Sequence, residues 1–385
     1  LQLFCGTGKT KIYTEYIIQH QQDVVVIAFP RIALLYQYDR DYFKKIPELQ
    51  KLFNRYIISS DHESISDSEG LMDFLDTTTT TTTTTNTNTK GKLILVTHAS
   101  FNNLCAILKN NDIHVDSLII DEVHHFGAKK YIEHLNNHKD IIEFVFGFTA
   151  TPTTKTLKDR VIYNYRYVEA LRDGYCKPFE IDIYITDKEK TPEEVYKALF
   201  YMAEKLWLRN ILCFHAFSEV KGKVGKTSVT DFANIAARID FKNTRFTKGI
   251  KSYTITGRMK NDERTEILNR ISNSGDDQLN IAHTCNTVSE GVDTDAIKSI
   301  FFADAKGSGT AVVQCIGRIT RLDNDDNEIP AKVLIPFFDV QYNKETGDYE
   351  GDGVVEDIDG IDDDDDGDAK STKIVSKTES ELINE

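Results

Sequence analysis

The 385-residue chain has no apolar run long enough to cross a bilayer as a helix. Its longest, such as DVVVIAF (Asp23 to Phe29) and SLIID (Ser117 to Asp121), fall far short of the roughly 20 residues a span requires. It also lacks an excess of positive charge. Net charge is −15, and residues 341 to 385 hold 16 Asp/Glu against 4 Lys/Arg, so twelve of the net negative charges sit in that stretch and three on the preceding 340 residues. A strongly basic chain would point to phosphate backbones; this one leaves room for a local basic groove and gives no global sign of it. Paired Cys-x-x-Cys motifs are missing too. The six cysteines (Cys5, Cys105, Cys176, Cys213, Cys285, Cys315) are scattered, which excludes a dense secreted-type disulfide framework and reads as reduced thiols in a cytosolic or nuclear protein.

What is present suffices for sizeable cores. With 40% hydrophobic residues the chain lies outside the disordered classes, and its length predicts two or three domains. Across residues 1–165, short apolar runs alternate with helical stretches: Leu1 to Phe4, Val24 to Phe29, Leu93 to Thr97, Ser117 to Asp121 and Glu143 to Thr149. That is the pattern of a parallel sheet covered by helices, whose ligands bind at the C-terminal strand ends. An insertion at about 61–91, with nine consecutive threonines (Thr77 to Thr85), is too poor in apolar residues to pack and is expected as a flexible surface segment. A connector follows at 166–190. A second alternating unit spans 191–340, opening on an amphipathic helix from Pro192 to Trp207 and closing with a helix from about Thr310 to Leu322. The acidic tail, 341–385, with five consecutive aspartates (Asp362 to Asp366), is expected to be disordered, a solvating tail or an acidic clamp over a basic groove.

CGTGKT (Cys5 to Thr10) follows an apolar run and precedes a helical pattern. Gly6 and Gly8 let the N–H groups of Cys5 to Thr10 turn toward a polyphosphate, Lys9 can neutralise its outer phosphates, and the Thr10 hydroxyl suits Mg²⁺. The usual pattern places glycine six residues before the lysine; here that residue is Leu3, which leaves a chance Gly-rich turn open. In LIIDEVHH (Leu118 to His125) an apolar strand runs into two carboxylates: Asp121 can hold Mg²⁺ through water, and Glu122 can orient or deprotonate a water attacking a γ-phosphate. His124 with His125, and His134 with His138, lack the Cys or carboxylate partners that a zinc site needs. The chain starts at Leu1 with this loop almost at once, so a truncated N-terminus is expected, with any targeting segment upstream.

With these motifs in this order, residues 1 to 340 resemble a superfamily 2 helicase of the DExH type, with Asp121, Glu122, Val123 and His124 as its DEVH box. They are also similar to the motor subunits of restriction enzymes, type III included. The resemblance does not require glycine at Leu3. It implies nucleic-acid contacts at Pro30 and Arg31 in FPRIALLYQ and at Thr97 and His98 in VTHAS, and a threonine motif, FTATP, in which Thr149 and Thr151, with His124, link hydrolysis to strand movement. In TCNTVSEGVDTD it implies that Thr287 meets nucleic acid, Glu290 couples, and Gly291 with Asp293 faces the nucleotide. QCIGRITR supplies Gln314, Arg318 and Arg321, catalytic in the family; the two arginines, three apart on a predicted helix, should share a face.

The expectation is an α/β chain of two tandem RecA-like domains, each a mainly parallel sheet flanked by helices, that uses ATP and Mg²⁺ in an interdomain cleft to move along or unwind DNA or RNA. A nucleotide-binding scaffold or sensor without productive unwinding stays open, as does a duplex translocase subunit of a restriction or remodelling assembly. The residues set neither DNA against RNA, nor polarity, nor oligomeric state.

Overall fold

The computed structural model describes residues 1–59, 68–76, 80–83, 86–126, 133, 135–152, 155–218, 227–236, 246–256, 259, 261–275, 277–285, 297–306, 309–322, 329–343 and 348–350. It divides into two compact units, residues 1–176 and residues 177–385.

The strands of the first unit are β1 (Gln2–Leu3), β2 (Val24–Phe29), β3 (Phe53–Ile58), β4 (Thr80–Thr83), β5 (Asn86–Thr89), β6 (Gly91–Thr97), β7 (Val115–Ile120), β8 (Ile142–Gly147) and β9 (Asn164–Tyr165). Five of them make one all-parallel sheet in the order β3-β6-β2-β7-β8. The apolar runs of the inner strands, Val25 to Phe29 of β2, Leu93 to Val96 of β6 and Leu118 to Ile120 of β7, follow from burial on both faces. Val26, Ala28, Ile94, Val96, Leu118 and Ile120 point to one side, where helices Ser68–Asp76 and His98–Asn110 bring Leu71, Phe101, Leu104 and Leu108. Val25, Ile27, Phe29, Leu93, Leu95 and Ile119 point to the other, against Tyr13 and Ile17 of helix Lys9–His20 and Leu35 and Tyr38 of helix Ile32–Tyr38. Each such side chain, fully buried, contributes about 1.5–3 kcal/mol.

The second unit carries β10 (Phe179–Ile185), β11 (Asn210–Phe214), β12 (Ile250–Ile255), β13 (Leu279–Thr284), β14 (Ser299–Phe302) and β15 (Ala331–Phe337), all parallel in the order β10-β15-β14-β11-β13-β12. Helices Pro192–Leu206 and Val229–Ala236 cover one face, Asn261–Ser272 and Gly309–Ile319 the other. Thr191 caps the first of these, its hydroxyl accepting from the Glu194 N–H at 3.2 Å, with proline in the first turn. Two mostly parallel, helix-flanked sheets are the expected RecA-like architecture.

Several segments differ from the sequence-based expectation. The first run stands outside the main sheet: β1 pairs in parallel with β9. Within the insertion, Ser68–Asp76 is a helix whose Leu71 is buried and whose Phe74 ring lies 5.1 Å from Tyr56, so this part packs as core because its apolar residues fall at helical spacing. Part of the threonine tract pairs antiparallel, β4 against β5. The connector at 166–190 contains helix Tyr167–Arg172 and strand β10, the latter an edge of the second sheet. At the start of the tail, β16 (Gln341–Asn343) and β17 (Asp348–Glu350) form a small antiparallel pair, while 351–385 lie outside the described residues.

Candidate nucleotide site

The phosphate loop leaves β1 and enters helix Lys9–His20 through two left-handed residues, Gly6 (φ 82°) and Gly8 (φ 86°). A Cβ at Gly8 would meet nothing closer than 4.0 Å, so the backbone angle, and not space, calls for glycine there. Thr7 ties the loop back, its hydroxyl donating to the Phe4 carbonyl at 2.7 Å. No side chain caps the helix, so its first-turn N–H groups face outward at the positive end of the helix dipole, next to Lys9 and Thr10.

Strand β7 delivers the two carboxylates. Asp121 is buried, its N–H donating to the Ala28 carbonyl of β2 at 2.9 Å, and its Oδ1 accepts from the Glu122 N–H at 3.1 Å. Glu122 has φ 48°, a left-handed conformation that costs a non-glycine residue about 1–2 kcal/mol. That turn aims it at the loop: Lys9 Nζ donates to Glu122 Oε1 at 2.6 Å. Burial pulls the Lys9 ammonium down, but Glu122, Cys5 and Asp121 outweigh it and hold the group well above its ordinary range. Burial likewise pushes Glu122 up, and Lys9 outweighs it; the pair is ionised. The second oxygen, Glu122 Oε2, is buried and accepts no hydrogen bond among the described residues. His124 Nδ1 lies 3.4 Å from it, yet the same nitrogen is 2.8 Å from Thr149 Oγ1 and bonds there instead.

Thr149 therefore links three motifs. Its hydroxyl also accepts from the Thr151 N–H at 3.0 Å, its main-chain N–H donates to the Leu1 carbonyl at 3.1 Å and its carbonyl accepts from the Leu3 N–H at 2.9 Å. The Val123 N–H reaches the Phe148 carbonyl at 3.0 Å. Phosphate loop, DEVH box and threonine motif are one hydrogen-bonded assembly.

Arg31 is exposed just past the end of β2, with Pro30 half-buried beside it. Thr97 is buried, and its hydroxyl donates to Ser100 Oγ at 3.1 Å. His98 begins the next helix, and burial pushes its imidazole down to about 4 against the pull of the Ala28 and Asp121 main chain. In the second unit Gln314 is buried and Arg318 half-buried on helix Gly309–Ile319. Arg321 lies two residues beyond that helix, so it does not share a helical face with Arg318. Just past the helix end the Thr320 carbonyl accepts from the Lys177 N–H at 2.9 Å. Thr287, Glu290, Gly291 and Asp293 lie outside the described residues.

Residues 1–154 match the family described as "Type III restriction enzyme, res subunit", and residues 210–323 the family described as "Helicase conserved C-terminal domain". The chain belongs to the superfamily 2 helicases. No curated protein matches it at a significant level. Among solved structures it is similar to the ATP-dependent Type ISP restriction-modification enzyme LlaBIII bound to DNA (TM-score 0.62, 16% identity, 88% of this chain and 26% of that one). It is also similar to a putative HsdR subunit of a type I restriction enzyme from Vibrio vulnificus YJ016 (0.52, 16%, 87% and 59%) and to S. cerevisiae Dbp5 bound to RNA and ADP BeF3 (0.50, 12%, 88% and 78%). At these identities the likeness is one of fold, and the chain spans less than two thirds of the first two. No described helix of this superfamily 2 member is long and apolar enough to cross a membrane.

Sequence reasoning missed a second polar assembly, in the helicase C-terminal unit, where Cys213, His215 and His283 meet. A Cys-x-His on one predicted strand and a histidine on another were the available signal.

Proposed function

We propose that the chain is a nucleic-acid-dependent ATPase that moves along or unwinds DNA or RNA. The observation that carries this reading is the buried Glu122 Oε2, which accepts no hydrogen bond among the described residues, beside the ionised Lys9–Glu122 pair. A carboxylate oxygen with no donor, next to the lysine of a phosphate loop, suits a base that receives a proton from water. The donor set fits Mg·ATP: open N–H groups at a helix start, a lysine for the outer phosphates, and the Thr10 hydroxyl and Asp121 to hold Mg²⁺, the latter through water. Bound there, the metal supplies charge neutralisation of the phosphate oxygens. Lys9 exchanges its carboxylate partner for phosphate, Glu122 orients water and takes its proton, and the Glu122–His124–Thr149 array carries the change to Thr151.

Gln314, Arg318 and Arg321 are proposed to complete the charge around the nucleotide from the second unit, together with Gly291 and Asp293. An arginine so placed contributes about 10³- to 10⁵-fold in rate. Closure of the units on ATP and reopening on hydrolysis would be the mechanical step, with Arg31, Pro30, His98 and Thr287 toward the nucleic acid and Glu290 coupling. A cytosolic or nuclear compartment, suggested by the scattered cysteines, is part of the same proposal. Steady-state ATP turnover measured with a matched panel of single- and double-stranded DNA and RNA tests the proposal. Stimulation by one class names the track. Tight ATP binding without turnover would favour the scaffold reading, and stimulation by duplex without strand separation the translocase subunit.

A further inference from the structure

The second unit buries ligand-type side chains that the ATPase reading does not use. Cys213, on β11, and His215, one residue past it, lie two apart and so share a face; His283, on β13, is the in-register partner of Cys213 across the parallel ladder. The three are 0%, 1% and 0% exposed. One donor atom of each falls within 4.8 Å of the others, and His215 Nε2 is 3.0 Å from His283 Nδ1.

The surrounding bonds fix where the lone pairs point. Asp304 Oδ1 accepts from Lys190 Nζ at 2.7 Å, and Oδ2 accepts from the main-chain N–H groups of Ala216 and Thr227, each at 3.0 Å, and from the Thr227 hydroxyl. With its proton committed to Asp304, Thr227 Oγ1 can only accept at 2.8 Å from His215 Nδ1. His215 therefore carries its proton on Nδ1 and turns the Nε2 lone pair toward His283. His283 Nε2 lies 3.3 Å from Ser252 Oγ, which in turn is 3.2 Å from the Tyr196 hydroxyl. If His283 donates to Ser252, its Nδ1 lone pair faces that of His215, and a cation between them relieves the repulsion. The separation suits one: two nitrogens at 2.0–2.1 Å from a tetrahedral Zn²⁺ are about 3.3 Å apart. A carboxylate orienting a ligand imidazole through a hydroxyl is second-layer support of the kind metal sites use.

We propose that Cys213, His215 and His283 form a buried site for one thiolate-preferring transition-metal ion, Zn²⁺ or Cu⁺. Two imidazoles and a thiolate are the donor set of such ions and the wrong one for Mg²⁺ or Ca²⁺, which take oxygen. Aromatic rings wall the site: the Phe232 ring lies 4.5 Å from that of His215 and 5.5 Å from that of His283, with Tyr196 4.7 Å behind it. Because all three ligands are sealed from solvent, the ion enters as the unit folds, and the Cys213 proton is released to solvent as the metal–sulfur bond forms. Its effect is to clamp β11 to β13 at their C-terminal ends. The site uses none of the phosphate-loop residues, so its failure leaves the ATPase proposal standing.

The competing arrangement is a neutral relay in which His283 Nδ1–H donates to His215 Nε2. To separate the two, the full chain is unfolded with chelator and refolded with Zn²⁺, with Cu⁺ under reductant, with Co²⁺ or with Mg²⁺ alone, then freed of loose metal. The proposal expects one Zn²⁺ or Cu⁺ retained per chain, a melting temperature several degrees above that of the Mg²⁺ sample, and a near-ultraviolet thiolate-to-cobalt band for Co²⁺. Cys213→Ser should abolish that band, and His283→Gln, which keeps an amide for Ser252, should lose the metal while staying folded. Natively folded chain that retains neither Zn²⁺ nor Cu⁺, or Co²⁺ bound without the thiolate band, overturns the site in favour of the relay.

Discussion

The two units place matching chemistry on matching ends of their sheets and put it to opposite use. Each sets a lysine on a carboxylate, Lys9 on Glu122 at 2.6 Å and Lys190 on Asp304 at 2.7 Å, and each bonds a histidine Nδ1 to a threonine hydroxyl at 2.8 Å, His124 to Thr149 and His215 to Thr227. The difference is saturation. Asp304, with its side chain 1% exposed, accepts from a lysine, two main-chain N–H groups and a hydroxyl, whereas one oxygen of Glu122 accepts no hydrogen bond among the described residues. A filled network holds a fold together; a buried acceptor left without a donor costs about 1–3 kcal/mol and is retained where a substrate supplies the missing partner.

Substitutions can break this contrast. The largest effect is expected at the open end: Glu122→Gln should lower ATP turnover by about 10²- to 10⁴-fold, the worth of a positioned general base, with little change in melting temperature; a turnover rate like that of the unaltered chain removes the assigned role. At the closed end the ranking reverses. Asp304→Ala strands Lys190 and the Ala216 and Thr227 donors, and should cost about 3–5 kcal/mol in denaturant unfolding while ATP binding survives. An undisturbed unfolding midpoint would show that the network is not structural.

Much of this architecture was legible because the runs at Val24 to Phe29 and Leu93 to Val96, apolar throughout, suit sheet strands buried on both faces. The phosphate loop and DEVH box were legible because each residue type there has a separate chemical duty. Strand β10 was not: Ile181, Ile183 and Ile185 alternate with Glu180, Asp182 and Tyr184, and an edge strand read beside glycine and proline looks like a connector. Nor was the end of helix Gly309–Ile319, beside which the Lys177 N–H, far off in sequence, bonds the Thr320 carbonyl. The Cys213–His215–His283 cluster depends on register between strands far apart in sequence, which no local pattern encodes.

Smaller effects sharpen the comparison. Thr149→Val removes the hydroxyl partner of His124 and the link to Thr151, and should cost about 1 kcal/mol in stability together with a clear fall in ATP turnover. Unchanged turnover would detach the threonine motif from hydrolysis. The smallest effect is on thiol labelling of the native chain at pH 8. Burial pushes the Cys105 thiol up to about 12, so it should resist alkylation until the chain unfolds, whereas half-buried Cys5 should react and be protected by ATP. Reaction at Cys5 indifferent to ATP would place the nucleotide elsewhere.

ATP affinity measured by calorimetry on the unaltered chain, Lys9→Ala and Glu122→Ala tests the account most directly. Lys9→Ala should lose at least about tenfold in affinity, the minimum expected when a charge-assisted phosphate contact is removed. Glu122→Ala, which frees the ammonium, should bind ATP as tightly as the unaltered chain or more so. Equal affinity in Lys9→Ala, or loss of binding in Glu122→Ala, would contradict the claim that this ion pair marks the phosphate site.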